Sequence, residues 1–232
     1  MGVQAPPVGS EKSALTKVIW FGLVWTAGIV AGWVIGFYAF WVGFSSTGFY
    51  NLPPNATPGQ VSTVLRPFFQ QMTALIPITL ALEIVAFLVL TLGLREFAKI
   101  DPHGFSLPST LMLVLMAGAV IAAAGAIPLV NSVPDVIAKA PYSPGTTPSA
   151  AFISAIGSLL IYFAVVALGG VLALIGEIGG LILGVWRLGT RYDEVMLKVA
   201  AICVIIPFLN ILAPILILIG ASSARGRLPG HS

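Results

Sequence analysis

From Val18 to Phe44 the chain runs 27 residues without a single charge. A run of that length reads as a helix crossing a bilayer, whose hydrocarbon core takes roughly 20 residues at 1.5 Å each. Trp20 and Trp41 stand near its two ends, roughly 31 Å apart on a helix, where aromatic side chains meet the lipid headgroups. The run is too long for the apolar region of a signal peptide, which is about 7–15 residues, so an uncleaved span is expected. Gly2 lacks the Ser or Thr that a myristoylation signal needs.

The rest of the chain repeats this pattern. Of its 232 residues 58% are hydrophobic and only 8% charged, with a mean hydropathy of +1.02. A soluble domain carries about 25% charged residues. Inside lipid every backbone N–H and C=O must be satisfied internally, which leaves helices or a closed barrel. Barrel strands read as alternating segments of about 10 residues. The apolar stretches here are continuous and longer, so the expected fold is an all-α, polytopic transmembrane helix bundle forming one domain over residues 1–232.

Five spans are expected, at about 18–44, 68–94, 107–130, 165–187 and 198–221. The third is entered through Ser106-Leu107-Pro108. The stretch from Ser149 to Arg187 holds one charge, Glu177, and as a single helix would reach roughly 58 Å. Gly169-Gly170 marks a plausible break there. Residues 149–168 then lie in the interface, project outward, or form a sixth, short span. Loop charges favour five. With the N-terminus in the cytoplasm, the inside holds Lys12, Lys17, Arg95, Lys99, Arg187, Arg191 and Lys198, and the outside holds Arg66, Lys139, Arg225 and Arg227. The basic external C-terminus is the weak point of that arrangement. Residues 45–67 and 131–149, rich in Pro, Ser, Thr, Gly and Asn, read as external turns. Asn55-Ala56-Thr57 is an acceptor pattern for glycosylation, with Pro58 just after it working against its use.

Two glycine ladders, Gly28, Gly32 and Gly36 in the first span and Gly176, Gly180 and Gly184 in the fourth, each put three small residues on one helix face. They are expected to pack helices closely, within the subunit or between copies. Pro77, Pro207 and Pro214 each remove a backbone donor and are expected to kink their helices, with Asn210 bonding the freed carbonyls. Ile127-Pro128-Leu129-Val130-Asn131 and Ile206-Pro207-Phe208-Leu209-Asn210 hint at a duplicated unit. Trp186, Arg187 and Arg191 lie in a turn dense in charge and aromatics that continues to Asp193-Glu194. It is read as an interfacial anchor with local salt bridges, or as a dock for a partner or anionic lipid headgroups.

Glu83 and Glu177 are the carboxylates placed inside spans. Glu83 precedes Arg95 by twelve residues, roughly 18 Å, and Glu177 precedes Arg187 by ten, roughly 15 Å, so their expected depths are similar. Neither has an intramembrane Lys or Arg to pair with. Each is expected to be protonated or hydrogen-bonded, as interhelical glue or as a proton or cation site.

Other chemistries are not encoded. His103 and His231 lie in a polar loop and at the C-terminus, which excludes a haem held by two histidines within the membrane. Cys203 is the sole cysteine, so neither a disulfide framework nor a thiolate metal site is expected. A metalloprotease needs paired histidines, and no nucleophile with a base stands out. No metal, no cofactor and no nucleic-acid partner is expected, and the chain is read as a non-enzyme.

The stretch from Glu177 through Gly220 contains Glu177-Ile178-Gly179-Gly180, Trp186-Arg187-Leu188-Gly189-Thr190-Arg191-Tyr192 and the run from Ile206 to Gly220. It resembles an archaeal family of multipass membrane proteins, the domain of unknown function nine-seven-three. The resemblance is clearest over the last fifty residues or so. It implies a membrane location and an archaeal source, and it carries no activity to transfer. The expected role is a structural or accessory subunit of a membrane complex, or a small homo-oligomer, in the cell membrane. The alternative is a proton- or cation-linked transporter or channel using Glu83 and Glu177.

Overall fold

The computed structural model describes residues 8–46, 48–141, 147–206 and 208–229. Nearly all of these are helical and none is in a strand. Four helices, α1 (Val8–Ser46), α2 (Pro58–Ile100), α3 (Pro102–Lys139) and α4 (Ala150–Arg191), are each long and apolar enough to cross a membrane. Two short helices follow, α5 (Val195–Ile205) and α6 (Ala213–Arg227). The chain is thus a helical, multispan membrane protein by length and composition. The four long helices hold 38 to 43 residues. At 1.5 Å per residue that is roughly 57–65 Å, well beyond a hydrocarbon core of about 30 Å. The first three apolar segments read from the sequence therefore lie within longer rods, and the fourth, 165–187, is the C-terminal part of one.

Local chemistry sets the ends of these rods. At the start of α2 the Gln60 side chain accepts from the Thr57 backbone N–H at 2.9 Å, and the Gln60 N–H donates to Thr57 Oγ1 at 3.4 Å, a reciprocal cap with Pro58 at the first helical position. At the start of α3 Asp101 Oδ1 accepts the Gly104 N–H at 2.9 Å, with Pro102 behind it. The third helix thus begins at Asp101-Pro102, earlier than the Ser106-Leu107-Pro108 entry expected from sequence. At the end of α4 Asp193 takes φ 47°, and the Glu194 N–H returns to the Gly189 carbonyl at 2.8 Å, a left-handed stop that turns the chain into α5.

The chain divides into two compact units. The first comprises Met1–Val30, Ala81–Gly118 and Val171–Ser232. Its helical neighbours close into a ring, with glycine at most joints. A Cβ on Gly93 of α2 would stand 3.3 Å from the Ala14 carbonyl of α1. Phe97 of α2 meets Phe105 of α3 at 5.2 Å between ring centres. A Cβ on Gly176 of α4 would fall 2.3 Å from the Leu115 nitrogen of α3, and one on Gly180 would fall 2.8 Å from the Met112 nitrogen. Gly189 of α4 meets Lys198 of α5, and Gly220 of α6 meets Leu197 of α5. The ring closes where Gly22 of α1 lies under the Pro214 carbonyl of α6, 2.9 Å from a would-be Cβ. Phe21 stacks on Trp25 at 5.1 Å, and both touch Phe87 in the core.

The second unit comprises Ala31–Leu80 and Ala119–Gly170. Here Phe40 of α1 meets Phe68 of α2 edge-on at 5.9 Å. Arg66 of α2 pairs with Asp135 of α3 at 2.5 Å, and Thr73 bonds Asn131 at 3.1 Å. Gly125 of α3 lets α4 approach until a Cβ would lie 2.9 Å from the Val166 nitrogen and 3.0 Å from the Tyr162 carbonyl.

Several expectations change. No break occurs at Gly169-Gly170, which lie within continuous α4, so residues 149–168 do not form a separate short span. The reason is that a glycine inside a helix costs only about 1 kcal/mol against alanine, too little to end a helix whose backbone finds no other partner in lipid. The stretch expected as one span over 198–221 is instead divided into α5 and α6, which fold back as a hairpin. Its turn is closed by the Leu209 and Asn210 N–H groups on the Ile206 carbonyl, both at 3.1 Å. Phe208 at the tip takes φ 71° and is 90% exposed. Asn210 is therefore a turn residue, and its backbone carbonyl accepts the Ala213 N–H at 3.1 Å. Pro214 sits at the first turn of α6, where a missing donor costs nothing, rather than kinking a helix. Pro77 lies inside uninterrupted α2. The expectations for Pro207 and His231 lie outside the described residues. The two Ile-Pro-x-x-Asn copies are not equivalent, since one runs through α3 and the other spans the hairpin turn.

Candidate functional site

Three places carry polar chemistry on this apolar frame. The first is the carboxylate pair read from sequence. Glu83 lies on α2 with its side chain on the exposed surface. Glu177 is half-buried and opens a six-residue π-helical segment of α4, Glu177–Ile182. Among the described residues neither carboxylate has a hydrogen-bond or ion-pair partner, and no bond joins the two. The wider π turn presents Gly176, Gly179 and Gly180 together to Leu111, Met112 and Leu115 of α3. The same segment packs against α5.

The glycine ladders differ from each other. Gly176, Gly180 and Gly184 all lie against neighbouring helices, Gly184 with Leu94 and Pro108 at 3.0 and 3.4 Å from a would-be Cβ. Gly28 and Gly32 are looser, 3.7 Å from Leu82 and 3.9 Å from Thr79 on the same measure, and Gly36 faces open space.

The second place is a charge cluster within the first unit. Arg191 pairs with Glu11 and reaches Asp101 at 3.7 Å, Lys17 pairs with Glu96, and Arg187 donates to the Gly104 carbonyl. Glu194 is buried, pairs with Arg227 and accepts from Ser223 Oγ at 3.0 Å. Arg227 also donates to the Tyr192 carbonyl at 3.4 Å. One local pair of the kind expected forms, Lys198 with Asp193 at 3.2 Å, and the other bonds join residues far apart in sequence: α1, the α2–α3 turn, the end of α4 and the closing end of the hairpin. Trp186 is 43% exposed, and Trp20 and Trp41 are more exposed still. Burial raises the Tyr192 hydroxyl to about 12, and the nearby Glu11 charge adds to the shift. That hydroxyl makes no hydrogen bond of good geometry, although it lies close enough to Arg191 and Glu11 to interact with both.

The third place went unread in the sequence. Between α2 and α3 of the second unit lies a cleft of about 540 Å³, lined by Arg66, Gln70, Thr73, Asn131 and Asp135 among apolar neighbours. Its two charged residues are 69 positions apart, so only the pairing of α2 with α3 brings them together. The one available signal was that each lies on the external side of its span. Glu83 and Glu177 do not line this cleft. Among the described residues no group of three or more His, Cys, Asp or Glu is placed to hold a metal ion.

A family model described as protein of unknown function (DUF973) matches residues 21–230. The chain belongs to this family. The match extends the resemblance seen near the C-terminus over α1 to α6, so hairpin and long helices alike fall inside the DUF973 region. Neither a curated protein nor a solved structure gives a significant match to the chain.

Proposed function

We propose that this DUF973 protein is a non-catalytic membrane protein that works by association, as an accessory subunit or a small homo-oligomer in the cell membrane. Glu83 carries the reading. It is an exposed carboxyl on the apolar helix α2 with no partner among the described residues, at a depth where an unpartnered acid costs several kcal/mol. A hydrogen-bonding helix from another chain removes that cost. The test is the particle mass in mild detergent and in lipid nanodiscs. The expected result is a multimer or a partnered complex that Glu83→Leu dissociates and Glu83→Gln retains. A monomer in both media contradicts it.

Charge supports a cytoplasmic N-terminus. The hairpin returns Arg225 and Arg227 to the end that holds Glu194 and Tyr192. Nine of the eleven basic residues then share one side, namely Lys12, Lys17, Arg95, Lys99, Arg187, Arg191, Lys198, Arg225 and Arg227, against Arg66 and Lys139. That asymmetry fits the positive-inside rule better than a continuous fifth span, which sends the C-terminal arginines outside.

A second reading, a proton- or cation-linked transporter or channel, draws on Glu177. Its π segment is of a kind frequent at functional sites. The α5 hairpin tip, eleven residues or roughly 16 Å from Glu194, reaches a depth similar to that of Glu177, and helix ends within membranes are recurrent ion sites. Proton uptake into proteoliposomes that Glu177→Gln abolishes supports this reading, and absence of flux in the wild type removes it.

A further inference from the structure

We infer that the cleft between α2 and α3 holds one phospholipid molecule, bound through a headgroup that carries both a phosphate and an ammonium group. This goes beyond the association reading, because it concerns a different surface and needs no second protein chain.

The inference rests on how the lining is ordered along the helices. Arg66 and Asp135 stand at the mouth, each about half exposed. Gln70 lies one turn further along α2, roughly 6 Å, and Thr73 roughly 10 Å. Asn131 of α3 meets Thr73 at 3.1 Å. Beyond them Ala74, Pro77 and Ile127 supply an apolar floor. Charge thus gives way to amide and hydroxyl, and these to hydrocarbon, within about 16 Å. A phospholipid has the same sequence of layers along its length: charged headgroup, glycerol oxygens, acyl chain. The glycerol ester or ether oxygens accept hydrogen bonds only, and the amide N–H groups of Gln70 and Asn131 are matching donors.

Charge selects the headgroup. The mouth offers one guanidinium and one carboxylate, already paired at 2.5 Å. A purely anionic headgroup meets attraction and repulsion together. A zwitterionic one exchanges a single ion pair for two, phosphate on Arg66 in a forked contact and ammonium on Asp135.

The test is native mass spectrometry of the full-length protein in detergent with added phosphatidylethanolamine, phosphatidylglycerol or soluble phosphoethanolamine. One phosphatidylethanolamine per chain is expected to survive detergent exchange, held in preference to phosphatidylglycerol. Arg66→Gln and Asp135→Asn are each expected to lower its retention about tenfold. Ala74→Phe, which fills the apolar floor and leaves both charges in place, is expected to do the same with the helical signal unchanged. Equal retention of both lipids, or unchanged retention in Ala74→Phe, overturns the inference. So does equal competition by soluble phosphoethanolamine, which points to a headgroup-sized solute instead of a lipid.

Discussion

At Tyr192 the hydroxyl is buried beside Arg191 and Glu11 without a hydrogen bond of good geometry, so deleting it removes a desolvated polar group at little cost in packing. Tyr192→Phe is expected to leave the melting temperature in detergent unchanged or slightly raised at pH 7. The pH dependence follows from the raised pKa, from 10.0 to about 12. Between those values the unfolded chain has lost a proton that the folded chain keeps, so stability present below pH 10 falls as pH rises towards 12. Melting curves from pH 9 to 12 should show that fall in the wild type and a smaller one in Tyr192→Phe. The glycines give a second contrast. A Cβ at Gly176 meets backbone of α3, which cannot swing aside, whereas at Gly36 it meets nothing within 4 Å. Gly176→Ala is expected to cost about 1–3 kcal/mol through overpacking, and Gly36→Ala to be neutral or slightly stabilising. Equal melting temperatures for the two variants contradict the packing assigned to α3 and α4. In sequence the two ladders were indistinguishable, because a four-residue spacing marks a face without saying what lies opposite it. Gly22, Gly93 and Gly125, which do lie against backbone, had no ladder to announce them.

At the scale of the element, the hairpin of α5 and α6 is held at its open end by a buried carboxylate. Glu194 has 10% of its side chain exposed and Arg227 55%. Removing Arg227 leaves a buried charge with Ser223 as its remaining hydroxyl donor, while removing the Glu194 charge leaves a guanidinium that water can reach. Arg227→Gln is therefore expected to cost about 1–3 kcal/mol and Glu194→Gln less than about 1 kcal/mol, read from thermal melts at one lipid and detergent composition. The reverse order contradicts the burial assigned to this pair. The long helices were legible because the hydropathy that creates them is local. The hairpin was not, because a continuous span and a fold-back share the same apolar composition from 198 to 221. What decides between them is distant in sequence: Gly22 accommodating the Pro214 carbonyl, and Glu194 meeting Arg227. The cleft was hidden for the same reason, since Arg66 and Asp135 acquire meaning only as neighbours.

At the scale of the molecule, the proposed topology has four crossing helices and a hairpin that enters and leaves on one face, which puts Gly9 and Gly226 on the same side. The exposed surface remains apolar over most of α4, from Ile153 and Leu160 through Phe163 to Leu174, as a lipid-facing or partner-facing helix requires. The fold-back is the central claim, and cysteine accessibility in sealed membrane vesicles tests it most directly. In a Cys203→Ser background, single cysteines are placed at Gly9, Gly59 and Gly226, where an added side chain meets no atom within 4 Å. A membrane-impermeant maleimide should reach Gly9→Cys and Gly226→Cys from the same side and Gly59→Cys from the other. Labelling of Gly226→Cys together with Gly59→Cys, on the side opposite Gly9→Cys, would mean that the last apolar segment crosses the membrane and the hairpin is wrong.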